Sequence, residues 1–171
     1  MKKQSLILFS LLIFITLPSL SICSEKTISG QEKVIDGDII TINKKKIRLF
    51  GIDAPEKEQI CEKIYLSFFI FNFQKDYKCG EKSASALSKK LKDKKVKCIL
   101  EKNKDRYNRN IGTCYLKNQD INKWLVKNGY ALAYKKYSKK YILDEQYAKE
   151  NKLGIWGGTF TAPEKWRRNM N

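Results

Sequence analysis

Asp36, Asp38, Arg48, Asp53 and Glu56 lie close together, in Val34-Ile35-Asp36-Gly37-Asp38 and in Arg48-Leu49-Phe50-Gly51-Ile52-Asp53-Ala54-Pro55-Glu56. The residues between them are mostly apolar or β-branched, so these acids belong to strand ends and turns. Carboxylates gathered at strand ends in a basic chain suit a hard cation held beside an anionic substrate. Cleaving a phosphodiester needs such a cation on a nonbridging oxygen. It also needs a group that orients and deprotonates a water, and donors for the added charge of the five-coordinate phosphorane. Asp38 and Asp53 are the candidate metal ligands, and the carbonyl of Ala54, fixed by Pro55, is a third. A site of oxygens without His or Cys favours calcium or magnesium over zinc. Glu56, just past Asp53, is the candidate general base or water-orienting group. Arg48 and Arg109 are the candidate phosphate clamps, because a planar guanidinium meets two phosphate oxygens at once. Arginine is scarce here: only five of the 35 basic residues are Arg, and two of them, Arg106 and Arg109, share the segment Asp105-Arg106-Tyr107-Asn108-Arg109. Singly, each residue reads as a turn, a sheet ion pair or a polar loop; the ordered set argues for chemistry.

Composition narrows the classes. The 171-residue chain contains no histidine, which excludes Ser-His-Asp and Cys-His catalysis, His-ligated zinc and a histidine pH switch. Its 35 Lys+Arg against 18 Asp+Glu, a net charge of +17, favour a polyanionic partner: nucleic acid, anionic lipid or cell-wall polymer. Met1-Lys2-Lys3, the apolar run Leu6 to Leu17 and the small polar residues after Pro18 read as a secretory signal over residues 1–23. That run is shorter than the ~20 residues needed to span a bilayer. Leu20-Ser21-Ile22-Cys23 offers an alternative, a lipid on Cys23, though Ile is bulky before such a cysteine. The expected product is therefore secreted or periplasmic, with a membrane-anchored lipoprotein as the lesser alternative. An oxidising compartment accounts for Cys61, Cys79, Cys98 and Cys114. Cys98 and Cys114 flank the Asp105–Tyr107 turn at matched distances, as hairpin partners would, and Cys61 and Cys79 bracket one loop. The expected pairs are Cys61–Cys79 and Cys98–Cys114; a zinc site lacks any CxxC spacing to support it.

These residues need elements to position them, and the segment 24–171 reads as one domain. Residues 25–35 predict a first strand, Asp36-Gly37-Asp38 a turn, Ile39 to Ile42 a second strand and Ile47 to Ile52 a third, which Pro55 stops. An antiparallel pairing brings Asp38 and Asp53 to one end of the sheet. Residues 57–79 form a long loop with an apolar centre, 64–73, expected to pack beneath the Cys61–Cys79 clamp; the alternative is an exposed patch that touches a membrane or partner. Gly80 to about Asp93 predicts a helix with Ala84, Leu87 and Leu91 inward. Val96–Leu100 and Ile111–Leu116 predict two more strands. Asp120 caps a helix from Ile121 to Asn128 that Gly129 stops, and a last helix runs from about Leu143 to Leu153. The sum is an α+β chain: a five-stranded OB-type barrel with about three helices.

The ordered motifs resemble the staphylococcal nuclease (thermonuclease) family. They are Val34 to Asp38, Ile47-Arg48-Leu49 through Glu56, Asp105 to Arg109, Leu125-Val126-Lys127-Asn128-Gly129-Tyr130-Ala131, Glu145 with Ala148 and Lys149, and Leu153-Gly154-Ile155-Trp156. The resemblance implies a calcium-dependent nuclease of DNA and RNA that leaves 3′-phosphates. It gives metal ligation to Asp38, Asp53 and Ala54, the water-activating role to Glu56, and transition-state contacts to Arg48 and Arg109. Arg106 and Tyr107 match positions that contact a terminal phosphate, and Tyr134 one that lies against the nucleotide, where a ring stacks without reading sequence; Tyr137 and Tyr141 are looser matches. The chain departs from the family at Asn108, usually Gly, where Asn tolerates the left-handed backbone, and at the cysteine-bracketed loop. The tail Trp166-Arg167-Arg168 extends past the family's last helix and either adds phosphate contacts or packs. A monomer is expected. The rivals are a catalytically silent OB-type binding module, against which all five of Asp38, Arg48, Asp53, Glu56 and Arg109 stand, and an envelope protein that uses its basic face on acidic polymers.

Overall fold

From Thr27 onward, partly buried and exposed residues alternate for ten positions, and this period of two builds the first strand, β1 (Thr27–Asp36). The computed structural model describes residues 25–170; the expected signal segment 1–23, with Cys23, lies outside the described residues. The strands β2 (Ile39–Ile42) and β3 (Lys45–Leu49) follow, joined by a two-residue turn with Asn43 and Lys44 both at positive φ, as a tight hairpin requires. The third strand then breaks at Gly51 (φ +70°) and resumes as β4 (Ile52–Asp53). Next come β5 (Ile60–Phe68), β6 (Phe71–Lys78), α1 (Cys79–Leu91), β7 (Lys95–Lys104), β8 (Asn110–Leu116), β9 (Gln119–Asp120), α2 (Ile121–Lys127) and β10 (Leu132–Ala133). The chain ends with α3 (Ile142–Glu150), a 3₁₀ turn (Gly154–Gly157), β11 (Gly158–Thr159) and α4 (Pro163–Asn169).

Strands β3, β2, β1, β7 and β8 are neighbours in that order, and β8 returns to pair in parallel with β3, Ile47 opposite Asn110 and Leu49 opposite Gly112. That last pairing closes the five-stranded OB-type barrel. Ile40, Ile42, Ile47, Leu49 and Ile52 fill it from one side, and Val96, Cys98 and Cys114 from the other. Leu87 and Leu91 of α1 and Ile121 and Leu125 of α2 seal it. The closure is pinned by one buried polar side chain. Asn122 of α2 donates to the carbonyls of Phe50 (2.9 Å) and Gly112 (3.2 Å), and its oxygen accepts from the Cys114 amide (3.1 Å). With all these partners met, its burial leaves no polar group unsatisfied.

Most local expectations hold. Asp120 caps α2 by accepting from the Lys123 amide at 2.9 Å. Gly129 stops α2 at φ +69°, and Asn108 takes φ +60° in the β7–β8 turn. Helix α3 ends earlier than expected, at Glu150, where Lys152 takes the left-handed φ of +51°, and Gly154 instead opens the 3₁₀ turn. Both disulfides form with the expected partners, and Cys98 faces Cys114 directly across β7 and β8.

The tail adds a fourth helix, α4, with Pro163 in its first turn. One expectation is corrected. The apolar segment 64–73 does not pack: it is a β-hairpin, β5 and β6, whose far end is exposed. Its base alone is anchored, by Cys61–Cys79, by β11 pairing to Glu62 and Lys63, and by a small second core of Cys61, Cys79 and Ile155 with Trp156 and Phe160 against it.

The disulfides close loops with sequence separations of 18 and 16, each of which should contribute about 3 kcal/mol through chain entropy. Reducing either pair, or replacing Cys98 and Cys114 together by Ala, is expected to lower the thermal midpoint by roughly 6–12 °C. Calorimetry of the oxidised and reduced protein measures it, and coincident transitions would show that the disulfides add nothing to stability.

Candidate functional site

Two turns deliver the acids. Asp38 follows Gly37 in the β1–β2 turn, and a Cβ on Gly37 would collide with Ser83 of α1 and with Ala54, so only glycine lets this turn sit against the helix. Asp53 follows the bend at Gly51, after which β4 leaves the barrel sheet and pairs with β10. Both side chains are buried, at 3% and 5% exposure.

Arg48 on β3 joins them. Its Nη1 donates to Asp38 Oδ1 at 2.6 Å and its Nη2 to Asp53 Oδ1 at 2.7 Å, while the other Asp38 oxygen accepts from the Ala54 amide at 2.9 Å. Burial, stronger than the opposing pull of Arg48 and the Ala54 amide, pushes the Asp38 carboxyl up to about 7. Burial works against the Arg48 charge as well, but Asp38 and then Asp53 outweigh it and hold its pKa above the ordinary value. Asp36 is also raised, first by burial.

Glu56 stands at the rim of this pair, 28% exposed, in a turn where the Gln59 amide donates to its carbonyl at 2.8 Å. Its carboxylate meets a residue that the motif spacing did not place there. Arg167 of α4 donates through Nη1 to Glu56 Oε1 at 2.6 Å and through Nη2 to Asp53 Oδ2 at 3.0 Å, with Nη1 also 3.0 Å from Asp53 Oδ1. Burial opposes the Arg167 charge, but Asp53 and Glu56 prevail and raise its pKa. The Gln59 side chain donates to the Thr161 carbonyl at 2.6 Å and so ties the start of α4 to the Glu56 turn. The only sequence signal for Arg167 was its type: an arginine in a chain that otherwise uses lysine.

The β7–β8 turn is arranged differently. Arg109 pairs with Asp105, Nε to Oδ2 at 2.6 Å, and its amide donates to Asp105 Oδ1 at 2.9 Å. Burial opposes the Asp105 charge, but these Arg109 donors outweigh it and lower the carboxyl. Arg106 and Arg109 lie 4.8 and 5.1 Å from the centre of the exposed Tyr107 ring, two cation–π contacts. Among the described residues, no ion pair joins Arg109 to Asp38, Asp53 or Glu56. Arg48 is thus in the acid cluster, and Arg109, Arg106 and Tyr107 form a separate basic and aromatic turn.

Tyr134 sits between the parts. Its amide donates to the Gly51 carbonyl at 2.9 Å, its ring meets Tyr137 edge-on at 4.7 Å, and burial followed by the Asp53 charge raises its phenol. A groove of about 290 Å³ runs from Asp53 past Tyr134 to Trp156 and Pro163. Tyr141 is not a surface residue: it is 1% exposed in the core and donates to Asp120 at 3.0 Å.

Among the described residues, no group of three or more His, Cys, Asp or Glu is close enough to hold a metal ion. The donor chemistry nevertheless fits a hard cation. Asp38 and Asp53 are buried oxygen donors on either side of Arg48, and Asp53 and Glu56 converge on a point that already accommodates the positive Arg167 guanidinium. Asp38, Asp53 and the Ala54 carbonyl are the residues that would hold it.

The sequence model of the family described as Staphylococcal nuclease homologue matches residues 46–158, which leaves Asp38 before and Arg167 after the matched span. An uncharacterized endonuclease of Haemophilus influenzae is 35% identical over 98% of this chain and 88% of its own. Succinoglycan biosynthesis protein ExoI of Rhizobium meliloti is 37% identical over 75% of this chain, which spans 64% of that protein's length. A probable staphylococcal-like nuclease of rice, CAN3, is 31% identical over 78% of this chain and 31% of its own.

Removing one member of a buried ion cluster strands the others. Arg48→Met leaves Asp38 and Asp53 buried without their shared cation, and is expected to cost about 3–5 kcal/mol of folding stability at neutral pH. Urea unfolding measures it; a loss below about 1 kcal/mol would mean that the acids are solvated without Arg48.

Proposed function

The chain belongs to the staphylococcal nuclease family, and from that premise we propose that it is an exported, calcium-dependent nuclease that hydrolyses phosphodiester bonds of DNA and RNA without sugar specificity. The observation that carries this reading is the fork of Arg48 between two buried carboxylates with Glu56 beside them. A structural ion pair has no need of a second carboxylate in a 5%-exposed position, nor of a third at its rim. A phosphodiesterase needs them all.

Calcium held by Asp38, Asp53 and the Ala54 carbonyl would neutralise a nonbridging phosphate oxygen and lower the cost of forming hydroxide. Glu56 orients the attacking water and takes its proton. Arg48, already fixed by Asp38 and Asp53, directs its charge at the equatorial oxygens that gain charge in the phosphorane. Arg109 assists from the β7–β8 turn once a phosphate displaces Asp105, and Arg106 with Tyr107 takes a terminal phosphate. Tyr134 offers its ring to a base in the groove beside Asp53. Attack that breaks the 5′-O–P bond leaves a 3′-phosphate, the outcome the family resemblance implies. The lysines hold polyanion without reading sequence, so binding weakens with salt. Two disulfides support an oxidising, extracytoplasmic location. Among the described residues, no helix is long and apolar enough to cross a membrane.

The deciding experiment is digestion of plasmid DNA and of RNA with calcium and with chelator, beside Glu56→Gln. Chelation is expected to abolish cleavage. Glu56→Gln is expected to lower turnover by roughly 10²–10⁴ with nucleic-acid binding nearly intact. Binding without cleavage under every metal would favour the silent OB-type module, and equal loss of binding and turnover would remove Glu56 from proton transfer.

Arg167 and calcium share Asp53. Arg167→Ala is therefore expected to tighten calcium binding about tenfold, the effect of one nearby positive charge removed. Calorimetric titration reads this without catalysis; unchanged affinity would mean that α4 and the metal do not compete.

A further inference from the structure

The β5–β6 hairpin takes no part in the site, yet it carries more than half of the large exposed apolar side chains among the described residues. Tyr65, Leu66, Phe68, Phe71 and Phe73 are 47–66% exposed, and Phe69 and Ile70 at the tip are 89% and 87% exposed. No charged residue occurs from Ile64 to Gln74. The register places Leu66 opposite Phe73 and Phe68 opposite Phe71, so these four share one face. The tip itself runs against turn chemistry: two-residue hairpins favour Asn, Asp or Gly, whereas here Phe69 holds φ +52° with its ring in solvent, edge-on to Phe68 at 4.6 Å.

The neck of the hairpin is as unusual as its tip. Lys63 and Lys75 lie directly opposite each other, a like-charge pair that destabilises a bare hairpin. Glu62 and Asp76 form the next pair down and point to the other face, and Glu62 is engaged by the Thr159 hydroxyl. Lys78 is paired with Glu81. The charges nearest the apolar tip are therefore the two lysines, with Glu62 and Asp76 one pair further down on the opposite face. Below them the Cys61–Cys79 disulfide and the β11 pairing fix the stalk. From Lys63 to Phe69 the strand spans about 20 Å, at about 3.3 Å per residue.

We propose that this hairpin docks the protein on an anionic lipid bilayer, with Phe68 to Phe71 entering the interface and Lys63 and Lys75 resting at headgroup level. The shape selects the partner. A convex apolar finger with a basic collar matches a layered surface that is apolar beneath anionic groups, whereas a folded protein would need a matching deep groove. Aromatic side chains favour that interfacial zone. The two outer strand edges keep unpaired backbone groups, which stops the finger short of the hydrocarbon centre. The net charge of +17 acts in the same direction.

The test is flotation of the whole chain with vesicles of phosphatidylethanolamine and phosphatidylglycerol, and with vesicles of phosphatidylcholine alone, beside Phe69→Asp/Ile70→Asp and Lys63→Glu/Lys75→Glu variants purified in the same way. The wild type is expected to float with the anionic vesicles. The tip variant should bind at least tenfold more weakly, and the neck variant should lose the preference for anionic vesicles. Calcium-dependent DNA cleavage in solution should be unchanged in the tip variant, which separates this proposal from the nuclease reading. Equal flotation of wild type and tip variant would overturn the proposal. So would a tip-dependent dimer in sedimentation equilibrium without flotation, which would assign the hairpin to a second copy of the chain.

Discussion

One arginine opposed to two buried carboxylates is the interaction on which the rest depends. With both acids ionised, Arg48 leaves its cluster with Asp38 and Asp53 one negative charge in excess, and the neighbouring elements are shaped around that excess. The Gly37 turn abuts α1 so that Asp38 can be buried. The Gly51 bend brings Asp53 to the same guanidinium. The Ala54 amide takes the oxygen that Arg48 leaves. Buried ion clusters rarely stabilise a fold better than apolar residues of the same volume. A barrel already filled by Ile40, Ile42, Ile47 and Leu49 had no need of one for stability. The cluster is best explained by what its excess charge attracts.

The same excess organises the C-terminal end. Arg167 reaches Asp53 and Glu56 across sequence separations of 114 and 111 residues, and Gln59 holds the Thr161 carbonyl. Ile155, with Trp156 and Phe160 against it, packs on the Cys61–Cys79 disulfide at the root of the hairpin. The hairpin stalk, the Glu56 turn and α4 thus share one small base, separate from the barrel core. Movement of α4 would change the charge around Glu56 without disturbing the strands that hold Asp38.

What the sequence made legible was local. Asp120 as a cap, Gly129 as a stop, Asn108 at positive φ and the matched spacing of Cys98 and Cys114 each obey rules that act over a few residues. The acid cluster was legible by type, because its members sit on two adjacent turns. Two features escaped those rules. Ile64 to Phe73 has the aromatic richness of a buried strand, and it is exposed because no element among the described residues covers it; composition cannot express that difference. Arg167 joins the site through a contact that no periodicity encodes, and Arg109 stands apart from the acids because Asp105, in the same turn, competes for it.

The use of arginine against lysine gives these parts a common logic. Four of the five arginines are placed where direction matters. Arg48 forks between Asp38 and Asp53, Arg167 bridges Asp53 and Glu56, and Arg106 and Arg109 lie on the Tyr107 ring. A guanidinium holds such geometry because its donors are planar and fixed, whereas an ammonium is a hydrated point charge on a flexible stem. The lysines play the complementary role. They supply a diffuse positive field that concentrates polyanions from a distance and is screened by salt. Long-range attraction and short-range orientation are therefore carried by different side chains. The Lys63–Lys75 pair is the exception that makes a lysine positional: the strand register, not the side chain, fixes those two charges, and it fixes them beside an apolar tip.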